Sequence, residues 1–260
     1  MEGGLRHNPD RRRRVAALGL ISVAVATVVG SAMAESSGPR VKTPHETFDF
    51  GIVPQACEVS HVFWLHNTGD EELVIHELIP NCGCTEAPLE KDHVAPGDST
   101  RAEIIFGTGV FTGPVTKFTQ VKANAVNRTP ALTFKARVYP DSALPGPIRI
   151  SPAAVRLDDA RPSGSGSGYT QTVTLRNTGS SPVAIEMIDR PYADVRVQDF
   201  SPIELGPGEA HELTLTFDKS LPTQVFSRSI TFAVSDTMQE RITLPIFKKK
   251  PWEDSGVSGG

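Results

Sequence analysis

The chain has 260 residues, with 26 basic against 30 acidic side chains and three cysteines. Residues 1–34 hold five of the basic and two of the acidic residues, so the remainder carries 21 against 28, a net charge of −7. A surface of that sign argues against nucleic acid or anionic membrane as the main partner.

The N-terminus reads as an export signal. Arg6 and the run Arg11-Arg12-Arg13-Arg14 precede an uncharged apolar stretch over 15–34 that ends Ala32-Met33-Ala34. That is the basic, apolar, small-x-small order of a cleaved signal peptide, with the cut expected after residue 34. The same stretch is long enough to cross a bilayer as an uncleaved anchor, and the arginines would then keep its start in the cytoplasm. Both readings place the rest of the chain outside the cytoplasm, periplasmic or secreted, with residues 15–34 as a membrane tether in the second.

An internal repeat organises the rest of the chain. Val62-Phe63-Trp64-Leu65-His66-Asn67-Thr68-Gly69 realigns with Thr172-Val173-Thr174-Leu175-Arg176-Asn177-Thr178-Gly179 at an offset of 110 residues. Val94-Ala95-Pro96-Gly97-Asp98 realigns with Leu205-Gly206-Pro207-Gly208-Glu209 at an offset of 111. A unit of this length is too long for a solenoid repeat and suits a small β-domain. Segments rich in Val, Ile, Phe and Thr predict strands at 48–51, 59–67, 73–79, 101–106, 115–123 and 131–138 in the first copy. In the second copy they predict strands at 148–150, 155–157, 171–177, 183–188, 195–200, 212–217, 229–234 and 242–247. Gly, Pro and Asn turns separate them, and no sustained helical period is present after the leader, so two tandem β-sandwiches are expected.

The expected organisation is a signal or anchor at 1–34, a first domain at 44–138, a Pro-rich linker at 139–147, a second domain at 148–247 and a disordered tail at 248–260, with a Gly/Ser loop at 163–168. Strand alternation turns Phe63, Leu65, Val173 and Leu175 inward. Trp64 and His66 then point outward and are candidates for contact with a protein partner.

Chemistry concentrates at Cys82-Gly83-Cys84. In an extended segment, side chains two apart leave from one face, and the glycine adds no bulk between them. Two uses are open to such a pair. Cys82 and Cys84 are candidate ligands for copper or zinc, for which Cys57, His45, His61, His66, His76 and His93 are the other donors in the first copy. Alternatively Cys57, Cys82 and Cys84 are disulfide candidates in an oxidising compartment, structural or open to thiol exchange. Phosphate loops, a Gly-x-Ser-x-Gly elbow, His-Glu-x-x-His and Cys-x-x-Cys are all absent from the sequence, and the carboxylate pairs Glu71-Glu72 and Asp158-Asp159 read as solvated turns.

Phe48-Asp49-Phe50-Gly51, His61-Val62-Phe63, Asn67-Thr68-Gly69-Asp70, Leu73-Val74-Ile75, Cys82-Gly83-Cys84-Thr85 and Ala95-Pro96-Gly97-Asp98 stand in an order that resembles the bacterial family called domain of unknown function 1573, over about residues 44–138. The resemblance implies an immunoglobulin-like sandwich similar to ASH and major sperm protein domains, usually exported, with no established activity. The second copy lacks the cysteines, so any thiol chemistry is expected in the first. The sequence is thus read as an exported, non-catalytic protein of the bacterial cell envelope, a protein-binding or structural module with a protein partner and no cofactor. The alternative is metal binding or thiol redox at Cys82 and Cys84.

Overall fold

The computed structural model describes residues 37–157, 169–189, 194–198, 200–217 and 225–248. The leader at 1–34, the Asp158-Asp159 pair, the Gly/Ser loop at 163–168 and all but Lys248 of the tail lie outside the described residues. Among the described residues no helix is long and apolar enough to cross a membrane.

The described residues are all-β, with a 3-10 turn at Asp141–Ala143. The first copy supplies β1 (Val41–Lys42), β2 (Thr47–Pro54), β3 (Glu58–Asn67), β4 (Leu73–Pro80), β5 (Thr85–Glu86), β6 (His93–Val94), β7 (Ser99–Gly107), β8 (Gly113–Ala123) and β9 (Ala131–Tyr139). The second supplies β10 (Ile148–Ser151), β11 (Val155–Arg156), β12 (Tyr169–Asn177), β13 (Val183–Asp189), β14 (Val195–Val197), β15 (Ile203–Leu205), β16 (Ala210–Phe217), β17 (Phe226–Val234) and β18 (Arg241–Lys248). The strand expected over 195–200 stops at Val197, and Phe200 instead packs against the second core.

Strand order is the same in both copies. Sheet β1-β3-β7-β5 corresponds to β10-β12-β16-β14, and β2-β9-β8-β4-β6 corresponds to β11-β18-β17-β13-β15. In each copy the two layers enclose a core. Phe50, Phe63, Leu65, Ile104, Phe106 and Phe134 fill the first; Val173, Leu175, Leu215, Phe217, Phe232 and Leu244 fill the second. Each large apolar side chain removed from water contributes about 1.5–3 kcal/mol, which is why the alternation visible along β3 and β12 governs which face turns in. β1, β3 and β7 stand where immunoglobulin strands A, B and E stand, and β4, β8 and β9 where C, F and G stand.

The repeated motifs have a structural meaning. Asn67 and Asn177 are buried at the ends of β3 and β12. The Asn67 amide donates to the carbonyls of Glu71 and Val94, and that of Asn177 to those of Ser181 and Leu205. Their Oδ1 atoms accept from Gly69 and Gly179. Gly97 and Gly208, both at φ +79°, donate back to the Asn67 and Asn177 carbonyls. One residue thus ties together a turn and an edge strand through its side chain and a left-handed glycine through its carbonyl, in both copies.

The copies join through β2. The two long sheets become one ten-stranded sheet where β18 runs parallel to β2 at Ile242 and Ile52. Gly51 makes that approach feasible: its φ is +66°, the Asp49 carboxylate accepts its N–H at 2.8 Å, and a Cβ there would sit 2.3 Å from the Arg241 carbonyl oxygen. The register of β2 against β9 shifts at this point. As a result Phe50 and Val53 belong to the first core while Ile52 enters the second. Leu144, within the Pro-rich 139–147 segment, is also buried in the second core.

Candidate functional site

The chain leaves the long sheet at Pro80 and enters the other layer at Thr85, so Cys82-Gly83-Cys84 is the corner between two sheets. The corner is anchored on both sides. Asn81 exchanges hydrogen bonds with the backbone of Phe118, at 3.0 and 3.2 Å, and the Cys84 carbonyl accepts the Gly107 N–H at 2.9 Å. Cys82 and Cys84 are joined by a disulfide with their Cα atoms 5.3 Å apart. This differs from the extended geometry expected of the tripeptide, in which residues two apart lie roughly 6.6 Å from each other. The reason is local: the Cys82 carbonyl accepts from Thr85 N–H in a turn. Both cysteines are half-buried, and the Thr85 hydroxyl lies 3.3 Å from one sulfur and 3.8 Å from the other. A Cβ on Gly83 would meet nothing within 4 Å, so no close packing demands the glycine.

Beyond the corner, residues 84–90 run along the outer edge of β7. Pairing at Thr85 and Glu86, a bridge from Leu89 to Ala102, and bonds from Glu103 N–H to Pro88 and from Glu90 N–H to Arg101 cover that edge. Covered edges do not recruit stray strands.

Cys57 lies elsewhere. It is buried, with its thiol donating to the Pro54 carbonyl at 2.9 Å and lying 3.4 Å from the Thr108 hydroxyl. The histidines named as donors scatter. His61 faces Asp189 at 2.7 Å and His93 faces Glu72 at 3.1 Å, while His66 lies beside Trp64 and His45 and His76 are exposed. Among the described residues no group of three or more His, Cys, Asp and Glu side chains converges on one point.

Trp64 and His66 do point outward from β3. Trp64 is 45% exposed; the His66 ring lies 6.5 Å from it at 29°, and the Arg101 guanidinium sits 6.0 Å above its face. Arg101 is held by Glu90 in a two-pronged pair at 2.7 and 2.9 Å. Next to this cluster, Lys42, Pro44, His66, Asn67, Thr68 and Gly97 line a hollow of about 410 Å³.

The most heavily charged site escaped the sequence reading. Arg228 on β17 pairs with Asp194 at 2.8 Å in its own copy and with Glu103 on β7 at 3.2 Å. Ser60 N–H donates to the Ser229 hydroxyl, Ser60 Oγ donates to the Ser227 carbonyl, and the Ser227 hydroxyl donates to Glu58. The His61 ring stacks on Phe48 at 3.6 Å while holding Asp189. Burial raises the pKa of Glu103, and the nearby Arg228 charge opposes that rise. Arg101, Glu103, Asp194 and Arg228, with Pro88, Leu89 and Glu90, line a cleft of about 400 Å³. No motif marks these residues. The one available signal was the Ser227-Arg228-Ser229 run, which sets small polar groups on the outward face of a strand.

The open sheets, paired layers and duplicated strand order define an all-β sandwich protein. Residues 41–138 match the family model described as Protein of unknown function (DUF1573), the family that the sequence resemblance over about residues 44–138 indicates. No curated protein matches the sequence. Among solved structures, the chain is similar to a protein of unknown function from Porphyromonas gingivalis W83, at 13% identity and a TM-score of 0.33, covering 81% of this chain and 100% of that one. It is similar to the ASH/PapD-like domain 7 of human CEP192 at 12% identity and a TM-score of 0.34, covering 50% and 99%. The CupB2 chaperone of Pseudomonas aeruginosa is similar at 10% identity and a TM-score of 0.28, covering 78% and 98%. Likeness this distant assigns no function.

Proposed function

We propose that the protein is a non-catalytic module of the bacterial cell envelope, built of two tandem immunoglobulin-like sandwiches, exported or tethered by residues 1–34, that binds another protein. The observation that carries this reading is the solvent-facing cluster of Trp64, His66 and Arg101. An aromatic and a guanidinium side by side are the residue types that dominate protein interfaces, and here a rigid β3–β7 pair holds them. The junction between the copies supports it too, since it shows what a strand of this fold accepts on its flank: serine hydroxyls, a backbone edge and an ion pair. A photoreactive residue in place of Trp64, in the full chain, should yield a discrete protein adduct; a clean absence of adducts there and at every other exposed face contradicts the reading.

A second reading rests on the Cys82–Cys84 disulfide. Half-exposed and closing only one intervening residue, it is open to attack by a thiolate of a partner protein; its reduction would give two neighbouring thiolates suited to copper or zinc. In the disulfide state neither sulfur is a thiolate, so this use requires the reduced pair. Thiol and metal content separates the two readings.

A further inference from the structure

Building on the protein-binding reading, we propose that the outer face of the first copy around Phe118, beside the Cys82–Cys84 corner, is a docking surface. Its partner is the strand edge of another β-sandwich protein carrying a carboxylate. The chain's own pseudo-symmetry carries this inference. Ala123 pairs with Ile75 as Val234 pairs with Ile185, and Val121 pairs with Leu78 as Phe232 pairs with Met187. These registers equate Thr116, Lys117 and Phe118 with Ser227, Arg228 and Ser229, and Ile79 with Asp189. Thr85 lies opposite Phe106 as Val195 lies opposite Phe217, which equates Cys84 with Asp194.

In the second copy this face is an interface. Ser227 and Ser229 are 2% and 3% exposed and bond to Ser60, Arg228 reaches Glu103, and Asp189 holds His61. In the first copy the equivalent face is open among the described residues. Phe118 is 43% exposed, Thr116 is exposed, and Ile79, Cys82 and Cys84 are half-exposed. Lys117, in the place of Arg228, lies 5.6 Å over the Phe111 ring. Neither Lys117 nor Lys135 on the next strand has an ion pair with a described residue. The surface therefore keeps the cation and the flat strand flank of the second copy's interface, and replaces a serine by an aromatic that favours a drier contact.

A second copy of this chain does not supply the complement. Its β3 flank and Glu103 are already taken by its own β17, and the second copy carries Thr214 where the first has Glu103, as the pairing of Thr172 with Thr214 and of Val62 with Glu103 shows. The occupant is a different protein, presenting a strand edge with an Asp or Glu beside it as β3 presents Glu103.

The test uses the full chain in the cell that makes it, with photoreactive benzoylphenylalanine replacing Phe118 in one version and Trp64 in another. The Phe118 version should give one protein adduct whose crosslinked peptide maps to a β-strand edge with a neighbouring Asp or Glu. Adding Lys117→Glu should lower its yield about fivefold or more, the scale of a like-charge contact across an interface, with the unfolding midpoint unchanged. Adducts at position 64 alone, or at neither position, overturn this face; the protein-binding reading falls only where every other exposed face is silent as well. An adduct at 118 that maps away from a strand edge, or that ignores the charge reversal, overturns the proposal.

Discussion

Asn67 and Asn177 show how much a single side chain can hold. Each satisfies two carbonyls and a glycine N–H at a sandwich end, and Asn67 also accepts the Arg40 N–H at 3.4 Å. Replacing either by Ala strands those groups in a buried site, and each variant should lose about 1–3 kcal/mol in urea unfolding, the cost of unsatisfied buried polar groups. Trp64→Ala should move stability by no more than about 0.5 kcal/mol, as for surface substitutions in general, while weakening partner capture. A large loss of stability there would recast Trp64 as structural. The Asn-Thr-Gly and Pro-Gly landmarks were legible because this clamp tolerates few residue types: an amide that both donates and accepts, and a glycine at positive φ. The Phe48-Asp49-Phe50-Gly51 motif was legible only as a landmark. That its glycine turns Ile52 into the other core required the structure, because the atom it avoids, the Arg241 carbonyl oxygen, is 190 residues further along the chain.

At the scale of elements, Gly51→Ala tests the junction. A methyl group would meet the β18 backbone, so β2 and β18 must part, and a loss of at least about 2 kcal/mol is expected from strain at a position that favours glycine. Unchanged thermal stability would show that the junction is looser than its geometry. Removing the disulfide by Cys82→Ser with Cys84→Ser constrains the unfolded chain less, but the loop it closes is very short. The chain-entropy relation gives about 1–2 kcal/mol for such a loop, with the fold retained. The long strands were readable from alternation, as the clean in-out pattern of β7 illustrates. The short edge strands β1, β5, β6 and β15 were not, since two or three residues carry no period. Their existence depends on what they cover, such as the outer edge of β7.

For the molecule as a whole, polar contacts bridge the copies beside the β2–β18 junction. Arg228→Met leaves the Glu103 and Asp194 carboxylates without their cation. A fully buried pair broken this way costs about 3–5 kcal/mol, and the partial exposure here lowers the expectation to about 1–3. The pH dependence comes from Glu103, whose pKa lies above its ordinary 4.5 in the folded state. A raised carboxylate pKa means the folded form holds the proton more tightly, so the associated stability is present below pH 4.5 and is lost as pH rises through the folded pKa. Without Arg228, which opposes that rise, the deficit of the variant should be small near about pH 4 and grow toward neutrality; a deficit independent of pH contradicts this assignment. Composition and repeat spacing pointed to a duplicated β-protein, but nothing in one linear pattern links Glu103 to Arg228.

If Cys82–Cys84 is a structural corner within a protein-binding sandwich, free thiols and bound copper and zinc on the purified full chain give the most direct check. Once the chain is unfolded in denaturant to expose the buried Cys57, one thiol should titrate, with no stoichiometric metal on the folded protein and an intact Cys82–Cys84 disulfide. Three titratable thiols with an equivalent of copper or zinc, lost when Cys82 and Cys84 become Ser, would contradict it.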